Sequence, residues 1–251
     1  MELQGFKIDL ISDTHNSHEK IGLPGGDLLI HAGDATMAGK VPEMMKFLAW
    51  YARQDYKYKI FVPGNHDWVC ESEPSLIARE CADRGIVLLN DSGVVVEGIN
   101  IWGSAVQPWF HDWAFNRQRG ADIRKHWDLI PEDTEILVTH GPPYQILDQI
   151  YERHGRLNKN KDTIEEKNIQ TSVGCQDLFL KILQTKIKLH VFGHIHETGG
   201  YKYWDQRTFV NASALDGQYV FRSPGYIHVI KQENDYFVEN PDHQLTPEEQ
   251  S

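Results

Sequence analysis

Apolar positions along the chain fall into short runs, each cut off by glycine or by a polar cluster. Phe6-Lys7-Ile8-Asp9-Leu10-Ile11 alternates apolar with polar and stops at Ser12-Asp13. Asp27-Leu28-Leu29-Ile30-His31 is almost wholly apolar between glycines, which predicts a buried strand. The same reasoning predicts strands over residues 59–62, 87–89, 94–97, 99–103, 135–139, 189–192, 207–211 and 226–230. Helices are expected from Pro42 to Arg53, from Glu73 to Arg84 before Gly85, over 117–129 and over 174–186. In the first of these Met45, Leu48 and Ala49, with Ala52 beside them, form the expected buried face. Strands and helices in this mixed order predict an α/β domain with two sheets rather than one doubly wound sheet.

Composition narrows the field. With 251 residues and 40% hydrophobic positions the chain can bury a large core, and a single domain over residues 1–238 is expected. No run approaches the roughly 18 apolar residues of a membrane helix. Lys and Arg number 25 against 36 Asp and Glu, and the net charge of −11 argues against a partner such as long nucleic acid. No secretory pattern opens the sequence, and the three cysteines are an odd count without CxxC spacing. A cytoplasmic protein without a disulfide framework or a cysteine-based zinc site is therefore expected. No GxGxxG or GxxxxGK[ST] loop occurs. Residues 151–171 are strongly charged and polar and read as a loop or helical excursion, either a surface insertion or a lid; residues 239–251 read as a flexible tail.

Five apolar strands stop at metal-competent side chains: Asp13-Thr14-His15, Gly33-Asp34, Gly64-Asn65-His66-Asp67, Thr139-His140-Gly141 and Gly193-His194-Ile195-His196. In open α/β sheets ligands collect just beyond the carboxyl ends of strands. A single histidine or Gly-Asp of this kind is usually structural; five in series are not accidental. Imidazole and carboxylate without thiolate suit Mn, Fe or Zn, whereas Ca or Mg would demand more oxygens. So many donors exceed one ordinary site, and two divalent ions sharing a carboxylate would use them. Such a centre carries about one net positive charge and would attract a phosphate even in an acidic protein.

These clusters resemble the five-motif signature of calcineurin-like metallophosphoesterases, with the fourth motif in a His140-Gly141 order. A closer resemblance, to metallophosphoesterase-domain-containing proteins related to class III cyclic nucleotide phosphodiesterases, is carried by Ser12-Asp13-Thr14-His15, Ile30-His31-Ala32-Gly33-Asp34, Ile101-Trp102-Gly103-Ser104, Trp113-Ala114-Phe115-Asn116, Thr139-His140-Gly141-Pro142-Pro143 and Val191-Phe192-Gly193-His194-Ile195-His196-Glu197. The resemblance implies a four-layer αββα sandwich of two mixed β-sheets flanked by helices, with a dinuclear site at the strand ends. It implies that Asp13, His15 and His196 hold one ion, that Asn65, His140 and His194 hold the other, and that Asp34 bridges. His66 would contact phosphate or protonate the leaving group, with Asp67 orienting it. In-line attack by a hydroxide bridging the ions would follow.

Arginines that grip phosphate in protein phosphatases have no counterpart after Gly33-Asp34 or Asn65-His66. A small phosphodiester, such as a cyclic or other nucleotide, is the expected substrate. Trp109, Phe110, Phe115 and Asn116 are the candidates to line a base-stacking pocket, with Trp68 and Trp113 nearby. A phosphomonoesterase on small metabolites and a catalytically weak interaction scaffold are the alternatives. Oligomeric state is not legible.

Overall fold

The computed structural model describes residues 5–158 and 163–239. The chain runs β1 (Phe6–Ile11), β2 (Gly26–His31), α1 (Val41–Ala52), β3 (Tyr56–Phe61), α2 (Trp68–Ser72), α3 (Pro74–Ala82), β4 (Val87–Leu88), β5 (Ser92–Val96) and β6 (Ile99–Ser104). It continues β7 (Gln107–Pro108), β8 (Asn116–Arg117), α4 (Ala121–Trp127), β9 (Ile136–Thr139), β10 (Gln149–Asn158), β11 (Thr163–Ser172), α5 (Gln176–Ile182), β12 (Leu189–Phe192), β13 (Gly200–Trp204), β14 (Arg207–Asn211), β15 (Ile227–Gln232) and β16 (Asp235–Val238).

Two six-stranded mixed sheets form, in the orders β16-β15-β1-β2-β3-β4 and β13-β14-β12-β9-β6-β5. Within the first, β1, β2, β3 and β4 are parallel and β15 and β16 antiparallel. Within the second, β6, β9, β12 and β14 are parallel and the edge strands β5 and β13 antiparallel. Parallel strands must be covered on both faces, and the side-chain alternation shows how. Ile136 and Val138 of β9, Val191 of β12 and Val210 of β14 join one cluster with Ile8, Leu10, Ile30 and Ile60 of the first sheet. Leu137, Phe192 and Phe209 point the other way, onto Ile123 and Trp127 of α4 and Leu178 and Ile182 of α5. On the far side of the first sheet α1 and α3 contribute Met44, Phe47, Leu48, Tyr51, Ile77 and Cys81. The result is two sheets packed face to face between helices.

Several expectations shift. The buried face of α1 is Met44, Phe47, Leu48 and Tyr51, one residue off the Met45 and Ala49 register, because the i, i+3, i+4, i+7 stripe that carries the aromatics buries more area. The helix expected over 117–129 contracts to α4, since Asn116 and Arg117 pair with Gln107 and Pro108 instead. The polar stretch at 151–171 is neither loop nor helix: β10 and β11 pair antiparallel from Gln149↔Ser172 to Asn158↔Thr163, and the segment is a two-stranded ribbon. Residues 159–162 of that segment and 240–251 of the expected tail lie outside the described residues.

Candidate metal centre

Because β1, β2 and β3 are parallel, their carboxyl ends meet at one edge, and those of β9 and β12 meet at the matching edge of the other sheet. The turns there are sharp. Asp13, His15, Asp34 and His194 all adopt left-handed backbone, with φ of 51°, 40°, 55° and 69°. Such conformations persist only where surrounding contacts enforce them, and they concentrate at functional sites. Two glycines make the approach feasible: a Cβ at Gly33, itself at φ 105°, would run into the His140 ring and Gly64, and one at Gly193 would run into the Asp13 and Ser12 side chains.

The donors converge in two overlapping groups. In the first, His196 Nε2 lies 3.3 Å from Asp13 Oδ1 and 3.3 Å from His15 Nε2. In the second, His140 Nε2 lies 3.3 Å from Asp34 Oδ2 and 2.9 Å from Asn65 Oδ1, and the His194 ring crosses that of His140 at 5.0 Å. Asp34 joins the groups, because the same Oδ2 is 3.7 Å from His15 Nε2. Asp13-His15-His196 and Asp34-His140-His194 can each surround one cation.

What surrounds these donors orients them for that task. The Nδ1 atoms of His15, His140 and His196 face the carbonyls of Thr36, Ala32 and Asp216 at 3.2, 3.0 and 3.2 Å. An Nδ1–H donated to a carbonyl leaves the Nε2 lone pair aimed inward. Asp13 accepts from Ser213 Oγ at 2.8 Å and from the His194 amide. Lone pairs and carboxylate oxygens pointed at one another need a cation between them, so the donor set fits divalent metal.

Electrostatics agree with a site built for positive charge. Burial alone would raise Asp13 and Asp34, but the imidazoles more than reverse it: His196 leads for Asp13 and His140 for Asp34, and both carboxyls sit below their ordinary range. Burial depresses His194 to about 3. For Asp67, burial and the Asp34 charge prevail over hydrogen bonds from Gly64 and Thr36 and lift it to about 6.

His66 lies beside these groups, half-buried. Its amide donates to Asp34 Oδ1 at 2.7 Å, its Nδ1 faces the Met37 carbonyl at 2.7 Å, and its ring stacks on Trp113 at 4.2 Å. Asp67 does not hold that ring. Its carboxylate accepts from Ala35 N, Thr36 N and Oγ1, and Gly64 N, pinning the turn after β2 to the turn after β3. It also caps nothing in α2.

The expected pocket residues divide. Trp109 and Phe110 are 52% and 53% exposed and line a groove of about 630 Å³ with Arg119, Pro142, Tyr144, Val173 and His194. Phe115, at 2% exposure, is core and cannot reach a ligand. Asn116 is buried and spent on the Phe110 and His111 carbonyls, holding the turn that displays Phe110. One residue near the centre escaped the sequence reading. Tyr219, after β14, packs its ring against His15 and His196 at 5.2 and 5.0 Å. Nothing in Asp216-Gly217-Gln218-Tyr219 distinguishes it from a surface turn.

Among the described residues no helix is long and apolar enough to cross a membrane. Comparison with known proteins adds the family. The model of the calcineurin-like phosphoesterase family matches residues 6–198. The chain is 37% identical over 232 residues to human metallophosphoesterase domain-containing protein 1, covering 83% of this chain and 66% of that one, so it spans slightly under two thirds of that relative. A UPF0046 protein of Caenorhabditis elegans is 32% identical over 240 residues, covering 90% of this chain and 76% of its own length. The fold is shared with the crystal structure of phosphopantetheinyl hydrolase from Mycobacterium tuberculosis, at a TM-score of 0.55 and 14% identity over 96% of this chain and 99% of that one. With the family model spanning most of its length, the chain belongs to the calcineurin-like phosphoesterase family.

Proposed function

We propose that the chain is a dinuclear-metal-dependent phosphodiesterase acting on a small phosphodiester, a cyclic or other nucleotide being the chemical class that fits. The carrying observation is Asp34, whose single Oδ2 stands between His15 and His140 and so ties together two donor groups. Asp13, His15 and His196 would hold one ion, Asn65, His140 and His194 the other, and Asp34 both. Mn, Fe and Zn all suit such donors. Divalent ions bound there supply Lewis acidity toward phosphoryl oxygens and a water of lowered pKa.

The residues do the rest. The carbonyls of Thr36, Ala32 and Asp216 hold three imidazoles in register, and Asp67 keeps the two loops that carry Asp34 and Asn65 locked together. His66, with Nδ1 committed to Met37 and its plane fixed by Trp113, keeps Nε2 for the substrate. There it donates a proton to the departing oxygen. Trp109 and Phe110 offer aromatic faces to a base. The loops bearing the donors, residues 12–17, 33–39, 64–68, 139–143 and 193–198, contain no Lys or Arg, which favours a singly charged diester over a doubly charged monoester.

Metal-stripped protein reloaded with Mn²⁺ should hydrolyse bis-p-nitrophenyl phosphate in preference to p-nitrophenyl phosphate. Asp34→Ala should abolish this, with a loss on the order of 10³-fold or more. Preference for the monoester would instead make the chain a phosphomonoesterase.

A further inference from the structure

The turn between β14 and β15 reaches the centre from beyond the end of β14, a strand that carries none of the five donor clusters. It is tightly built. Asp216 Oδ1 accepts from the amides of Gln218 and Val220, both at 2.9 Å, and the Tyr219 amide donates to the Asp216 carbonyl at 2.8 Å. That same carbonyl receives His196 Nδ1 at 3.2 Å, and Arg222 Nη2 binds the His196 carbonyl at 2.7 Å. One turn thus orients a donor imidazole and displays Tyr219.

The display is strained. Tyr219 sits at φ 60°, a conformation that a bulky side chain adopts only when its surroundings impose it. Its ring lies against His15 and His196, yet remains 49% exposed. No hydrogen-bond partner for its hydroxyl is found among the described residues. A phosphoryl group at the centre has non-bridging oxygens that need donors, and the five donor loops contain no Lys or Arg. Arg119, the cation of the adjoining groove, has its Nη1 and Nη2 bound to the carbonyls of Gly174 and Val173 at 2.8 and 2.6 Å.

We propose that Tyr219 is a substrate-contacting specificity residue: its hydroxyl donates to a non-bridging phosphoryl oxygen, and because it is neutral it favours singly charged diesters over doubly charged monoesters. The inference rests on the phosphoesterase reading above.

The test compares wild type, Tyr219→Phe and Tyr219→Arg, all Mn²⁺-loaded. It reads metal content, calorimetric affinity for inorganic phosphate at pH 8, and kcat and KM for both p-nitrophenyl substrates. Tyr219→Phe keeps the ring against His15 and His196, so metal content should be unchanged. Phosphate affinity and diester kcat/KM should each fall roughly tenfold, the worth of one hydrogen bond to a charged group. Tyr219→Arg should tighten phosphate binding and raise the ratio of monoester to diester kcat/KM roughly tenfold. A Phe variant that matches wild type, or that sheds metal, overturns the proposal, as does an Arg variant with an unchanged ratio. If wild type hydrolyses neither ester, the phosphodiesterase reading falls, and phosphate affinity across the three proteins decides the role of Tyr219 by itself. Wild-type protein that holds Mn²⁺ without binding phosphate overturns both.

Discussion

The donor loops and the groove beside them are built on opposite terms. Around Asp13, Asp34, His140 and His196 nearly every polar atom is committed: imidazoles to carbonyls, carboxylates to amides and hydroxyls, with left-handed backbone at several of the candidate donors. Those contacts specify residue type at each position, because no other side chain offers the same donor at the same reach. The groove is walled by Trp109, Phe110, Pro142, Tyr144 and Val173, whose requirement is bulk and apolar surface. Its residues can be exchanged for others of similar shape, so it can change ligand while the donor set stays as it is.

The sharpest break of this comparison comes at His66, which stands between the two regions. It lies near His15 and Asp34 closely enough to be a third cation-holding group, yet its Nδ1 is turned to Met37 and its ring stacks on Trp113. As a proton donor, His66→Ala should lower kcat roughly 10²- to 10⁴-fold with metal content intact. The loss should grow as the leaving group becomes more basic, since p-nitrophenolate departs with little help. Metal loss along with the ring would move His66 into the ligand set.

The same contrast decided what could be read from sequence. Asp13, Asp34, His140 and His194 were legible because each follows an apolar strand, and parallel strands in one sheet bring such ends together. The groove was half legible. Trp109-Phe110 and Phe115-Asn116 are chemically alike on paper, and only the β7 and β8 pairing turns the first pair outward and buries the second. Tyr219 was illegible, since its nearness to His15 depends on contacts across more than 200 residues of chain. The ribbon of β10 and β11 was not legible because a strongly charged and polar sequence lacks the apolar alternation by which strands are recognised.

Paired truncations separate wall from core. Trp109→Ala should raise KM for a nucleotide substrate roughly tenfold, the scale of one lost base stack, with little change in thermal stability. Phe115→Ala removes a ring at 2% exposure and should cost about 3–5 kcal/mol of folding stability, read from a denaturant titration. Its KM should stay near wild type in whatever protein remains folded. Asn116→Ala should fall between, freeing the Phe110 and His111 carbonyls and so raising KM through a loosened wall. If Phe115→Ala changed KM as Trp109→Ala does, the division of the two pairs would be wrong.

The smallest effect lies within the donor loops, between two neighbouring imidazoles. Burial pushes both His140 and His194 down. At His140 the Asp34 charge and hydrogen bond, with help from Asp13 and the Ala32 carbonyl, reverse this and raise it from 6.5 to about 9; His194 stays at about 3. In metal-free protein His140 therefore carries a proton at neutral pH, in the place where the donor set accepts an ion. A group raised on folding contributes stability that is fully present below its unfolded value and is lost as pH rises through its folded value. In EDTA, then, the melting temperature should fall by a few degrees between pH 6.5 and pH 9. Metal must displace this proton to bind, so Mn²⁺ should stabilise more at pH 9 than at pH 6.5, and the gap between loaded and stripped curves should widen with pH. His140→Gln should make the EDTA curve shallower, leaving the slope that the raised His196 and His228 contribute. A stripped wild-type protein whose melting temperature holds or rises over that range would mean that Asp34 is not paired with a charged His140 in the metal-free protein.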